Sequence, residues 1–178
     1  MPIYRDIVEY SNHQKILHSN AQKAMNCKLL KFISVLESSN IYQAKACNSH
    51  CYSILIHPDT NNNSSKQWFY FGVTSTTKGQ RVTFQILNFS KKSSLYTQNM
   101  KIAIKSQKTD NRWTLGGENI SYFKTEEYIP SDTSNKVLYT LLFEYEFECN
   151  DDTVYFSYAQ PYPYSDLLSY LHRTEVLY

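Results

Sequence analysis

The residues best equipped for chemistry crowd into C-N-S-H-C, Cys47 to Cys51, with His50 inside it and His57 just beyond. Thiolate and imidazole are the ligands zinc prefers. The spacing argues against a metal, because the usual knuckles join a C-x2-C or C-x4-C pair to a second pair further along. Cys51 also opens an alternating stretch that His57 closes, so the two ends of one strand would have to reach one ion. The expectation is a loop running into a strand, with no metal ligands and no cofactor. His13 and His18 fall in a weakly patterned region and His172 lies near the end of the sequence, so a general base has no evident setting. A glycine-rich phosphate loop, an H-E-x-x-H pair and a recognisable nucleophile setting are all missing, and no H-x-x-E pair is expected. On its residues the chain is expected to act by binding and not as an enzyme.

The elements that would position any site read as β structure. The chain has 178 residues, 42% hydrophobic and 19% charged, which suits one globular domain. Its 16 Tyr and 9 Phe against 4 Gly favour a pleated, half-buried surface. Tyr52, Ile54 and Ile56 alternate along Y-S-I-L-I-H (52–57), and Val82, Phe84 and Ile86 alternate along 80–89. Q-W-F-Y-F-G-V (67–73) is a continuous aromatic run, expected of a strand covered on both faces. Shorter strands are predicted at 101–105 and 119–123. In L-Y-T-L-L-F-E-Y-E-F-E (138–148) the set Tyr139, Leu141, Phe143, Tyr145 and Phe147 faces one way. Thr140, Leu142, Glu144, Glu146 and Glu148 face the other and are expected to be wet. Asn150-Asp151-Asp152 should then turn the chain into 153–158, so that 138–158 forms a hairpin. Strands this short with polar turns indicate an all-β antiparallel sandwich or barrel. Residues 1–28 form an extension with a weak helix expected over 14–28, residues 29–158 the β domain, and residues 159–178 an aromatic tail segment.

Cellular context is read from what the sequence lacks. No run of 18 apolar residues is present, so no membrane span is expected. The start, M-P-I-Y-R-D-I-V-E-Y, does not have a leader pattern. Four irregularly spaced cysteines fit reduced thiols, and a cytoplasmic location follows.

Charge is uneven although the net is only +2. Residues 78–112 carry eight basic residues, including Lys78, Arg81, Lys91, Lys92, Lys101 and Lys105, against Asp110 alone. Residues 113–178 carry three basic residues against eleven acidic ones. Two solvated faces that attract one another explain this most simply. A polyanion-binding surface is the sharper alternative. The acidic C-terminal third argues against nucleic acid as that polyanion.

Several stretches together carry a family likeness. They are F-I-S-V-L-E-S-S-N-I-Y-Q-A (32–44), Q-W-F-Y-F-G-V (67–73), F-Q-I-L-N-F-S-K-K-S-S-L-Y (84–96), R-W-T-L-G-G-E-N-I-S-Y-F (112–123) and T-V-Y-F-S-Y-A-Q-P-Y-P-Y-S-D-L-L-S-Y-L (153–171). In register over about residues 30–171, the chain resembles the N-terminal domain of cytosolic carboxypeptidases. The resemblance implies an antiparallel β-sandwich that precedes a zinc carboxypeptidase domain acting on polyglutamate of tubulin tails. The family's zinc ligands and catalytic glutamate lie beyond the sandwich, so none is carried onto this sequence. Where the family writes F-E-S-G-N, this chain has Leu36-Glu37-Ser38-Ser39-Asn40, and W-x-R-x-G becomes Trp113-Thr114-Leu115-Gly116-Gly117.

The resemblance also gives the tail segment a role, as the seam between sandwich and catalytic domain. Tyr158, Pro161, Tyr162, Pro163 and Tyr164 would form an extended aromatic path. Ser165 would cap a short helix carrying Leu167, Leu168 and Leu171. The expected partners are proteins: tubulin, ciliary or axonemal proteins, or a separate carboxypeptidase catalytic chain. A cytoplasmic place at the cilium or cytoskeleton follows from them.

Overall fold

The computed structural model describes residues 28–126, 129 and 137–175, so the weak helix expected over 14–28 lies outside the described residues except for Lys28. In chain order the strands are β1 (Lys31–Ile33), β2 (Ile41–Asn48), β3 (Cys51–Ile56), β4 (Tyr70–Thr74) and β5 (Arg81–Phe89). They continue as β6 (Ile102–Ser106), β7 (Thr114–Gly116), β8 (Glu118–Lys124), β9 (Tyr139–Glu146) and β10 (Val154–Ser157), and one helix, α1 (Tyr164–Glu175), follows. Two five-stranded sheets result, with orders β1-β4-β10-β6-β7 and β2-β3-β5-β9-β8. The chain is an all-β sandwich, as its alternating apolar residues require.

Period-two alternation builds the core. Tyr52, Ile54 and Ile56 on β3, Val82, Phe84 and Ile86 on β5, and Leu141 and Phe143 on β9 are buried from one sheet. Phe71 and Val73 on β4, Ile102 and Ile104 on β6, and Val154 and Phe156 on β10 meet them from the other. Phe84 lies between the layers, with ring centroids 5.0 Å from Phe156, 5.2 Å from Phe143 and 5.7 Å from Phe71. Burial pushes the Tyr145 phenol up to about 12 and raises Tyr96 and Tyr122 as well, so these tyrosines work as neutral rings.

Three expectations need correction. First, the sandwich is not wholly antiparallel, because β3 and β5 run parallel. The chain leaves the sheet after β3, makes β4 in the opposite layer, and returns as β5 in the same direction. Beyond the last paired residues, Asn88 extends this ladder with its side chain. Its Oδ1 accepts from the Ile56 N–H at 3.0 Å, and its Nδ2 donates to the Ile56 carbonyl at 2.8 Å.

Second, residues 138–158 do not form a hairpin, because β9 and β10 belong to different sheets. The connecting arch bonds to the neighbouring arch between β4 and β5 and does not fold back on β9. The Gly79 N–H donates to Phe147 O at 2.7 Å, Asp151 N–H to Thr76 O at 2.8 Å, and Lys78 N–H to the Asn150 side chain at 2.8 Å. Gly79 turns this corner at φ +78°, which its missing Cβ permits.

Third, the glutamate face of β9 is not uniformly wet. Thr140, Leu142 and Glu144 are buried along with the core-facing set, and Glu146 and Glu148 are exposed. β9 is an interior strand, flanked by β5 and β8, and the side chains of Arg81 and Asn119 cover Glu144.

Phe143→Ala is expected to cost about 3–5 kcal/mol in urea unfolding, as large-to-small changes in packed cores do. Asn88→Ala should cost about 2 kcal/mol, since it orphans two buried backbone groups of Ile56. Glu146→Gln, at the exposed end of β9, should stay within about 0.5 kcal/mol. Equal losses at Phe143 and Glu146 would refute the inward phase of β9.

Candidate functional site

The seam splits into an anchored part and an offered part. The Tyr158 N–H donates to Phe69 O at 3.0 Å, and its ring packs among Trp68, Phe69 and Tyr96. Tyr158 is partly buried and Pro161 is buried. Beyond it the side chains turn outward, with Pro163 half-buried. None of the twelve residues of α1 is buried, and Tyr162, Tyr164, Leu167, Leu168, Tyr170 and Leu171 are 37–66% exposed. Tyr164, Leu167, Leu168 and Leu171 follow the i, i+3, i+4, i+7 spacing and so share one helix face. An amphipathic helix normally buries such a face. This one leaves it open.

A helix of this length is marginal in water without packing, so its start needs another support. Asp166 N–H and Leu167 N–H donate to Pro163 O, which places Pro163 at the cap. Proline has no side-chain acceptor for the free N–H groups of the first turn. Glu37, from the loop between β1 and β2, supplies one. Its carboxylate accepts from the Ser165 N–H at 3.1 Å and from Ser165 Oγ at 2.6 Å. These bonds hold the Glu37 carboxyl below its ordinary range. Ser165, expected as the cap, is instead a donor inside the first turn. Asp166 is close enough to Tyr70 to add, after burial and Tyr155, to raising that phenol. The first turn therefore lies near Tyr70, at the start of β4.

The basic stretch is not one surface. Arg81 is taken up by carboxylates, with Nη1 2.7 Å from Glu118, Nη2 3.1 Å from Glu146, and Glu144 at 3.6 Å. The Glu146 and Glu118 hydrogen bonds raise its already high pKa. Lys78 precedes β5 and Lys91 and Lys92 follow it, so nine strand residues, about 30 Å, separate them. All three are exposed. On β6 and its start, Lys105 is half-buried and Lys101 donates to Gly117 O at 3.3 Å. Lys91 and Lys92 are the pair the fold leaves together and open.

The cysteine–histidine group is dispersed. Cys51 is buried at the start of β3, and His57 lies past its other end, about 20 Å along the strand. Exposed Cys47 contacts Ser53 Oγ at 3.1 Å, and His50 Nδ1 is 2.9 Å from Arg81 O. His57 stacks edge-on against Tyr42. His172 and Glu175 form an H-x-x-E pair, a motif that the sequence was expected to lack. Both are exposed on the last turn of α1. Among the described residues no group of three or more His, Cys, Asp or Glu side chains is placed to hold a metal ion, and no helix is long and apolar enough to cross a membrane.

With the fold and the seam in view, comparison with known proteins assigns the class. The family model for the cytosolic carboxypeptidase N-terminal domain matches residues 32–159. Cytosolic carboxypeptidase 2 of Xenopus tropicalis is 33% identical over 158 residues, 86% of this chain and 16% of that protein. Human cytosolic carboxypeptidase 2 is 34% identical over 146 residues, 80% of this chain and 16% of that protein. Among solved structures, a metallo-carboxypeptidase from Burkholderia cenocepacia shares the fold at TM-score 0.54 and 18% identity, over 81% of this chain and 32% of that one. One from Pseudomonas aeruginosa, in complex with (2-guanidinoethylmercapto)succinic acid, matches at TM-score 0.52 and 19% identity, over 80% and 33%. The chain belongs to the cytosolic carboxypeptidase family and corresponds to its N-terminal domain. It spans about a sixth of the length of these two curated relatives.

Arg81→Gln is expected to destabilise the sandwich by about 1–3 kcal/mol, because it removes the guanidinium 3.6 Å from the buried Glu144. Lys91→Gln should change stability by less than about 0.5 kcal/mol. Denaturant midpoints that move equally for both would show that Arg81 is not a structural cation.

Proposed function

We propose that this chain acts by binding, as a non-catalytic cytosolic-carboxypeptidase-type domain that docks another folded protein through its seam, within a microtubule or ciliary assembly of the cytoplasm. The observation that carries this reading is α1, whose leucine–tyrosine face is exposed throughout while its first turn is fixed to the sandwich. Tyrosines and leucines on a fixed element make good interface anchors, because they bury much area at little entropic cost. The microtubule setting draws on the family resemblance and on the open Lys91–Lys92 pair, which suits an acidic tail.

A second reading is favoured by the lengths of the relatives, which continue well beyond the matched part. In it, the domain positions substrate for a zinc carboxypeptidase of the tubulin-deglutamylase type, and the seam receives the catalytic domain. Both readings use the same face of α1. They differ in what covers it.

Biolayer interferometry separates them, with the chain immobilised and either the purified catalytic domain of human cytosolic carboxypeptidase 2 or polyglutamylated microtubules as analyte. Tyr162→Ala with Leu168→Ala should raise the off-rate at least about tenfold at any salt. The unfolding midpoint of the chain should move by less than about 2 °C, since both side chains are exposed. Lys91→Glu with Lys92→Glu should weaken microtubule capture mainly at low salt. Capture of the catalytic domain alone would favour the second reading. Unchanged binding by the seam double variant would remove α1 from the interface.

A further inference from the structure

We propose that residues 36–40 form a built clasp whose Glu37 carboxylate fixes the start of the seam helix, so that Glu37 is a positioning residue for the apolar face of α1. The helix needs an outside acceptor at its start, and the loop between β1 and β2 is organised to provide one. Ser38 takes the left-handed conformation at φ 69°, which residues other than glycine avoid, and this turns the chain sharply next to Glu37. Three bonds to the segment leading into β4 hold the turn in place. Trp68 Nε1 donates to Ser38 O at 2.7 Å, Ser39 Oγ donates to Tyr70 O at 2.7 Å, and the Asn40 side chain donates to Trp68 O. Within the loop the Ser39 N–H closes on Leu36 O at 3.0 Å, and the His57 N–H donates to Asn40 O at 2.7 Å.

This geometry explains how the loop tolerates Ser39 where its relatives are expected to carry glycine. The left-handed residue is Ser38, so position 39 does not require glycine, and the serine hydroxyl adds a bond to β4. The carboxylate is thus delivered by a fixed turn and not by a loose side chain on a free loop. It meets Tyr164 and Ser165 where Pro163 cannot cap them. Fixing the first turn sets the direction of the helix axis and so the direction in which Leu167, Leu168 and Leu171 face. The consequence for partner binding rests on the reading of α1 as an interface, but the clasp itself does not.

Hydrogen exchange of the α1 amides in the full chain, without partner, tests the clasp directly. Glu37→Ala and Ser165→Ala should each speed exchange across 164–171 at least about threefold, as loss of a helix cap does. The double variant should be no faster than Glu37→Ala alone, since Ser165→Ala removes one of the two bonds that Glu37→Ala removes. Exchange in β5 and β9 should stay unchanged, which shows that the sandwich is folded. Ser165→Asp separates the clasp from general helix preference. An acidic residue in the first turn ordinarily stabilises a helix, but here it would face Glu37 and should speed exchange. Slower exchange in Ser165→Asp, unaltered exchange in Glu37→Ala, or additive effects in the double variant would each overturn the proposal. Loss of partner binding with α1 exchange unchanged would also count against it, while altered exchange with binding unchanged would keep the clasp and refute only the interface.

Discussion

The contact of Phe84 with the opposite sheet is the interaction on which the rest of the sandwich depends. It projects from a central strand of one layer into rings of both: Phe143 and Tyr52 from its own, and Phe32, Phe71 and Phe156 from the other. Ring pairs in such tilted arrangements add about 0.5–1.5 kcal/mol each beyond the area they bury. Their size also fixes the spacing of the layers. The high phenylalanine and tyrosine content thus has a structural cause: a small sandwich fills its interior with few, large side chains. The same packing leaves little room for a buried polar site.

Closing the ends of the sandwich is a separate problem, because strands that change layers carry backbone groups past the edge of both ladders. Thr76 solves much of it. Its carbonyl accepts from the Asp151 N–H, its hydroxyl donates to Cys149 O, and that same hydroxyl accepts from the Asp152 N–H. Asp152 continues the network, accepting from Ser106 Oγ and from the Lys108 N–H. One threonine and one aspartate therefore bind the two arches to each other and to the end of β6. Thr76 and Asp152 are taken up by these structural bonds, which separates this end of the molecule from the open seam.

The period-two pattern made β3, β5 and β9 legible, along with the inward set of each, because large side chains on a half-buried pleat leave a strong trace. β2 was not read as a strand: I-Y-Q-A-K-A-C-N is an edge strand, mostly exposed and irregular in register at two places, so nothing forces its residues to alternate. β1 and β7 are three residues each, too short to show a period. The layer change after β9 escaped because Asn-Asp-Asp turns a hairpin and an arch alike. The decision lies in bonds to residues 76–80, far away in sequence. For the site, the seam was pointed to by the family resemblance; Tyr162, Tyr164, Leu167, Leu168 and Leu171 are exposed, whereas Tyr158 is packed inward. Glu37 left no local signal at all. Its partner is 128 residues away, and only the folded loop shows that the two meet.

The order of strands in the first sheet has a consequence for how the chain is made. β10 lies between β4 and β6, yet it is the last strand in the sequence. During synthesis β4 and β6 have no shared partner until residues 154–157 leave the ribosome. Until then each presents an unpaired edge, which is the feature that invites association with other chains. Folding must also wait for contacts of long sequence separation, which slows it. The nascent domain therefore spends most of its translation as a half-zipped intermediate, and chaperones that shield open strand edges would have their chance before Val154 emerges.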